Sequence, residues 1–259
     1  MKTGAIVFPL ITLVFIFSGC DPITKCKNIS QREAVLLIDV SDPKLYTEIE
    51  NDLGKHLPKF MAETGLATID VCQKFSLSFA HLSGKDALEL ETENISINQK
   101  GQSNSAVEIQ SSPAPLVKLV QKKLTEYKLL SEDPVMTSQS NIANTLFKSI
   151  NYCNPKSDNV IILFSDLVEN NRLVNFYKKI PGQDEVSSAI DKMIEPAVLQ
   201  KFKSQSIKGR TKVIIVLKSE SKGRVSVRDV RSFWEALFKE LKFDANVQFI
   251  DNLSIPVEL

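Results

Sequence analysis

Three short runs constrain this chain more than anything else in it: Ala34 to Ile38 reads AVLLI, Val160 to Phe164 reads VIILF, and Val213 to Leu217 reads VIIVL. Each is apolar without interruption. A strand with one face in water alternates apolar and polar residues, whereas a strand covered on both faces has no need to. The runs therefore predict the interior strands of a sheet with helices on both sides.

The segments between them carry the matching signals. Asp42 can cap a helix whose first turn suits Pro43, and Leu45, Ile49 and Leu53 follow at four-residue spacing. Gly54 and Pro58 are expected to break or kink it before Phe60 and Met61. Phe75, Leu77 and Phe79 alternate with Ser76, Ser78 and Ala80, the period of a strand, and the alternating stretch from Ala87 to Ile97 can pair with it as an edge ribbon. Asn98 to Pro115, rich in Gln, Ser, Asn and Pro, reads as a loop. Helices are expected over Leu116 to Leu130, from near Ser140 with a stripe of Ile142, Leu146 and Ile150, and over Val186 to Phe202. Ser226 and Asp229 form a capping-box pattern ahead of Val230, Phe233, Trp234, Leu237 and Leu241, and Val247 to Ile250 makes a last strand. The expectation is an α/β fold: a doubly wound, mostly parallel, Rossmann-like sheet with an antiparallel edge strand, in one domain over residues 33–259.

Composition narrows the function classes. Of 259 residues 43% are hydrophobic, as in ordinary globular chains, and 32 basic against 31 acidic residues give no global field toward nucleic acid or an anionic membrane. There are only nine glycines, and neither GxGxxG nor GxxxxGK[ST] occurs, so a phosphate-cradling loop is not indicated.

Residues 1–19 are different in kind. Lys2 precedes an apolar run from Ala5 to Phe17, which closes in Ser18 and Gly19 before Cys20. That is the layout of a secretory signal peptide, and the run is too short to span a bilayer comfortably. The ending FSGC resembles the lipobox of bacterial lipoproteins, with Phe17 in place of the usual leucine. The resemblance implies cleavage before Cys20, lipidation of Cys20, a tether over residues 20–32, and an exported, lipid-anchored protein of the cell envelope, in the periplasm. Cys26, Cys72 and Cys153 then allow one disulfide and one leftover thiol, with the pairing open. His56 and His81, with no CxxC repeat, make a poor set for zinc.

The chemistry-bearing residues fall just past strand ends. Asp39 and Ser41 follow the first apolar run, Ser165 and Asp166 follow the second, and Ser140 precedes a helix. In a doubly wound sheet these positions share one edge, where ligands bind. All are oxygen donors, which a hard cation such as Mg²⁺ prefers. Here the chain resembles the von Willebrand factor A family, whose metal-ion-dependent adhesion site combines D-x-S-x-S after the first strand, a threonine from a second loop and an aspartate after the fourth strand. The matching pieces are DVSDP at Asp39 to Pro43, SNIANTL at Ser140 to Leu146 and FSDLVE at Phe164 to Glu169. The resemblance implies a Rossmann-like domain that binds a partner protein, with Asp39, Ser41, Ser140 and Asp166 as metal ligands and Mg²⁺ as the cation. Pro43 replaces the second serine of the motif, and Leu167 stands where a glycine is usual.

The function expected is a non-enzymatic binding or scaffold module of a bacterial cell-envelope assembly. Its partners would be another protein and, through Cys20, the membrane, with no nucleic acid. One alternative is a structural subunit with an inactive metal site, using helix surfaces such as Arg228 to Lys242. Another is a hydrolase of isochorismatase-like type, which would pair Asp39 with Cys153 as nucleophile, although Cys153 lies before its strand and should emerge at the opposite edge.

Overall fold

In the computed structural model the described residues are 30–63, 73–83, 90–95, 114–137, 139–204, 210–219 and 223–251. The expected signal peptide, Cys20, Cys26, Cys72 and nearly all of the expected loop from Asn98 to Pro115 lie outside them. The elements in chain order are β1 (Ser30–Asp39), α1 (Pro43–Glu63), β2 (Gln73–Leu82), β3 (Glu91–Ile95), α2 (Ala114–Ser131), α3 (Ile142–Tyr152), β4 (Asp158–Ser165), α4 (Val186–Met193), α5 (Pro196–Ser204), β5 (Thr211–Leu217), α6 (Val227–Glu240) and β6 (Val247–Ile250).

They form one sheet in the order β3-β2-β1-β4-β5-β6. All neighbours are parallel except β3, which runs antiparallel to β2 at the edge. The doubly wound architecture follows from the alternation of the buried strands. Val35, Leu37, Ile161, Leu163, Val213 and Ile215 face the layer of α3, α4, α5 and α6. Leu36, Ile38, Ile162, Phe164, Ile214 and Val216 face α1 and α2. Among the described residues no helix is long and apolar enough to cross a membrane.

Three expectations about local structure are corrected. β1 starts at Ser30, inside the stretch expected to be tether. α1 runs unbroken through Gly54 and Pro58. Proline clashes with the carbonyl four residues back, here that of Gly54 on the exposed face, while Leu53, Leu57, Phe60 and Met61 stay buried on the other; packing outweighs the lost hydrogen bond. The single helix expected over Val186 to Phe202 is two, because Pro196 cannot donate a backbone hydrogen bond and instead opens α5.

Candidate functional site

The strand order reverses between β1 and β4: the chain builds outward from β1 through β2 to β3, then returns to the other side of β1 and builds outward again. Such a reversal leaves a crevice at the carboxyl ends of the two central strands. Asp39 ends β1 and Ser165 ends β4. Asp39 shares the parity of Val35 and Leu37, so its side chain faces the α3 to α6 layer.

Asp39 is fully buried, at 0% exposure. Its Oδ1 accepts the Ser41 backbone N–H at 2.9 Å and its Oδ2 accepts the Ser165 hydroxyl at 2.6 Å. Burial holds the carboxyl above its ordinary range, against the hydrogen bonds from Ser165 and Ser41, and the charge of Asp42 adds to the rise. Ser165 Oγ in turn accepts the Leu167 N–H at 2.9 Å, so this hydroxyl couples the loop after β4 to the end of β1.

That loop is set by an unusual backbone. Leu167 has φ 59°, in the left-handed region where glycine is at home and a leucine is strained by roughly 1–3 kcal/mol. Burial of the Leu167 side chain, and donation of the Trp234 indole N–H to its carbonyl at 2.9 Å, hold it there. Just before it, Asp166 is buried and accepts the Val168 N–H at 2.9 Å.

Ser140 joins the same edge through its backbone: it donates to the Asn170 carbonyl at 2.9 Å and accepts from the Asn170 N–H at 3.1 Å. Its buried hydroxyl oxygen has no hydrogen-bond partner. Direct contacts thus unite Asp39 and Ser41, while Asp166 and Ser140 are carried to the edge by Ser165 and Asn170. Pro43 serves another purpose than a ligand's. Asp42 accepts the Lys44 and Leu45 N–H groups at 2.8 and 3.3 Å, and Pro43 opens α1 behind it.

Glu169 is the residue that the sequence patterns overlook. It is fully buried, its Oε2 accepts the Ala143 N–H at 3.0 Å, and its Oε1 accepts from the Asn171 amide at 2.9 Å. It therefore satisfies the start of α3 directly behind Ser140. Burial pushes its carboxyl up to about 8, opposed by those hydrogen bonds and one from the Ile142 N–H, and aided by the charge of Asp39. The only sequence signal was a glutamate ending FSDLVE, three residues after an aspartate already singled out.

In kind, the donor set suits a hard divalent cation, since all of it is oxygen and the Ser140 hydroxyl is buried and unpartnered. The fit is incomplete, because both oxygens of Asp39 already accept protein donors and Pro43 offers none. Among the described residues no three His, Cys, Asp or Glu side chains gather closely enough to hold a metal ion. Cys153 lies at the other end of the sheet, where the neighbouring Asn154 N–H donates to Glu33, and burial pushes its thiol up to about 12. The nucleophile of the hydrolase alternative is thus neither beside Asp39 nor a thiolate.

No protein-family model matches the chain, and no curated protein is similar enough to count as a relative. Among solved structures, the pilus adhesin SpaC from Lactobacillus rhamnosus GG in its open conformation is similar over 88% of this chain and 29% of its own, at 11% identity and a TM-score of 0.46. The human COPII-coat protein Sec24c is similar over 82% and 28%, at 10% identity and a TM-score of 0.41. Proximal thread matrix protein 1 from the mussel byssus, solved with a zinc-occupied MIDAS motif, is similar over 88% and 45%, at 10% identity and a TM-score of 0.33. The chain spans less than half the length of each of these structures.

Proposed function

We propose that this chain is a von Willebrand A-like protein-binding module that docks a partner at the carboxyl edge of its sheet, without catalysis. One observation carries the reading: the Ser165-to-Asp39 bond locks the ends of β1 and β4 together at the point of strand reversal, beside loops that hold buried acids and an unsatisfied hydroxyl. Polar groups left in such states concentrate at binding and active sites. The resemblance of residues 1–20 to a lipoprotein signal supports the further proposal that the module is exported, anchored through a lipid on Cys20, and part of a cell-envelope assembly.

A photo-crosslinking residue placed at Ser41, against one at Lys156 on the opposite edge, tests this in envelope fractions of the native cell. A discrete protein adduct from position 41 and none from 156 supports docking. Equal capture from both, or none from either, overturns it. Fractionation of Cys20→Ala tests the anchor, since the variant should leave the membrane fraction.

The unpartnered Ser140 oxygen favours a second reading, in which Asp39, Ser41, Ser140 and Asp166 hold a divalent cation such as Mg²⁺. Bound there, a cation would favour the ionised form of the buried carboxyls and leave a coordination position for a partner's carboxylate. Thermal unfolding with Mg²⁺ or Mn²⁺ against chelator decides it. A metal-dependent rise of the midpoint in wild type and not in Ser140→Ala supports the cation, and no response in either removes it.

A further inference from the structure

We propose that the turn after β4, with the groove beside it, is the part of the docking edge that recognises an acidic peptide segment. The turn spans Asn170 to Asn175 and is built to hold its shape. Asn170 pairs with Asn175, the Asn171 side chain accepts the Leu173 and Val174 N–H groups at 2.8 Å each, and the Phe176 N–H closes the base on the Glu169 carbonyl at 2.9 Å. The Asn171 amide in turn reaches the buried Glu169 carboxyl. A tip fixed in this way loses little conformational freedom on binding. It presents Arg172 and Leu173, and Leu173 is 69% exposed, one of the few large apolar side chains left in water.

Beside the tip runs a groove of about 360 Å³, walled by Arg172, Lys178, Lys179 and Lys192 against a single acid, Glu185. Lys179 pairs with Glu185 at 2.7 Å, while Arg172, Lys178 and Lys192 make no ion pair among the described residues. In a chain whose charges otherwise nearly cancel, this is a local surplus of positive charge. Arg172, Leu173 and Lys192 also line a second cavity of about 510 Å³, bordered by Gln139 and Asn141 on either side of Ser140 and by the acids Asp191 and Glu195, of which Glu195 is paired with Lys148. The groove thus shares residues with a cavity that borders Ser140, at the edge where docking is proposed. An occupant of matching chemistry is an extended segment with several carboxylates, for the cations, and an apolar side chain, for Leu173. A groove of this size with an apolar tip suits a peptide better than the regular phosphates of a nucleic acid or the plane of a lipid surface.

The inference rests on the docking reading, and its test separates the two. Fluorescence anisotropy of the full chain with a labelled peptide of alternating Glu and Leu, against one of alternating Lys and Leu, should show saturable binding of the acidic peptide only, weakened by salt. Arg172→Glu with Lys192→Glu should weaken it at least about tenfold, Leu173→Ser should weaken it less, and Lys156→Glu at the far edge should leave it unchanged. Absence of binding, or equal loss in the Lys156 variant, overturns the groove. So does equal affinity for duplex DNA or for vesicles of phosphatidylglycerol. If the groove fails while crosslinks from position 41 persist, docking stands and only its chemistry was misassigned. If the acidic peptide binds but position 41 captures nothing, docking at Asp39 fails and the groove must be read by itself.

Discussion

The two ends of β1 carry the same device in opposite conditions. At the amino end, Glu33 accepts the Asn154 N–H at 3.0 Å, the Ser157 hydroxyl at 3.3 Å and the Gln31 amide at 2.9 Å, tying β1 to the loop that enters β4. At the carboxyl end, Asp39 accepts Ser41 and Ser165, tying β1 to the residue that leaves β4. Glu33 is half-buried and reaches water; Asp39 does not. The first is a staple whose whole role is to hold. The second sits with Asp166, Glu169, a strained Leu167 and an unsatisfied Ser140; the amino edge has its own unpartnered oxygen, that of the buried Asn159 side chain opposite Glu33, but there it stands without buried acids or a strained backbone beside it. Structures keep such costs where another molecule is to act.

The broadest consequence is in pH. The Glu169 carboxyl stands at about 8 in the fold against an ordinary 4.5, and Asp39 is shifted the same way. Below about pH 4.5 both folded and unfolded chains are protonated at Glu169. Above it the unfolded chain loses that proton while the fold retains it, so stability falls as pH rises toward 8 and levels beyond. The slope can reach about 1.4 kcal/mol per pH unit. Urea unfolding across this window should show the decline in wild type and a flatter profile in Glu169→Gln. A wild-type profile that does not fall would mean that the carboxyl edge stores no neutral acids, and the contrast with the amino edge would collapse.

Removing the carboxylates directly separates the ends further. Asp39→Ala leaves the buried Ser165 hydroxyl and the half-buried Ser41 N–H without their acceptor, and should cost about 2–3 kcal/mol. Glu33→Ala leaves the Gln31 amide and the Asn154 N–H to water and only the Ser157 hydroxyl buried, and should cost less, about 1 kcal/mol. Chemical denaturation of the two variants compares them, and equal losses would contradict the difference in burial.

Backbone strain gives a pair of opposite sign. Leu167 and Lys242 both have positive φ, 59° and 54°. Lys242 follows α6 on the surface, where glycine has nothing to lose, so Lys242→Gly should stabilise by up to about 1 kcal/mol. Leu167→Gly relieves similar strain but empties a buried site, and a net loss of about 1–2 kcal/mol is expected. If Leu167→Gly also stabilised, the Leu167 side chain would contribute nothing to the packing against Trp234.

These residues also show where sequence reading succeeds. The apolar runs located β1, β4 and β5 because both faces of each strand are covered, and that alone put Asp39 at a strand end. The break between α4 and α5 was hidden because Val186, Ile190 and Met193 continue in period into Val198, Leu199 and Phe202, leaving Pro196 as the only local sign. Glu169 was invisible for a deeper reason. It lies in a stretch of no fixed period, and its part depends on the start of α3, which only the pairing of Ser140 with Asn170 brings beside it. The tip at Arg172 and Leu173 was equally hidden, since exposure is a property of the turn and not of its two side chains.

The smallest effect asked of the molecule is the most discriminating, and it concerns two buried serines. Ser157, at the amino edge, donates its hydroxyl to Glu33, so Ser157→Ala should cost about 1 kcal/mol, the ordinary net worth of a hydrogen bond. Ser140, at the carboxyl edge, keeps a hydroxyl out of water with no partner for its oxygen. Deleting a group that has been desolvated without return should be neutral or stabilise by up to about 1 kcal/mol. A thermal melt of each variant without added metal reads the sign. A loss in Ser140→Ala equal to that in Ser157→Ala would mean that the hydroxyl is satisfied after all, and the carboxyl edge would then be no more than a second staple. A gain would mean that the chain keeps this serine at the expense of its own stability, as expected of a group reserved for a ligand from outside.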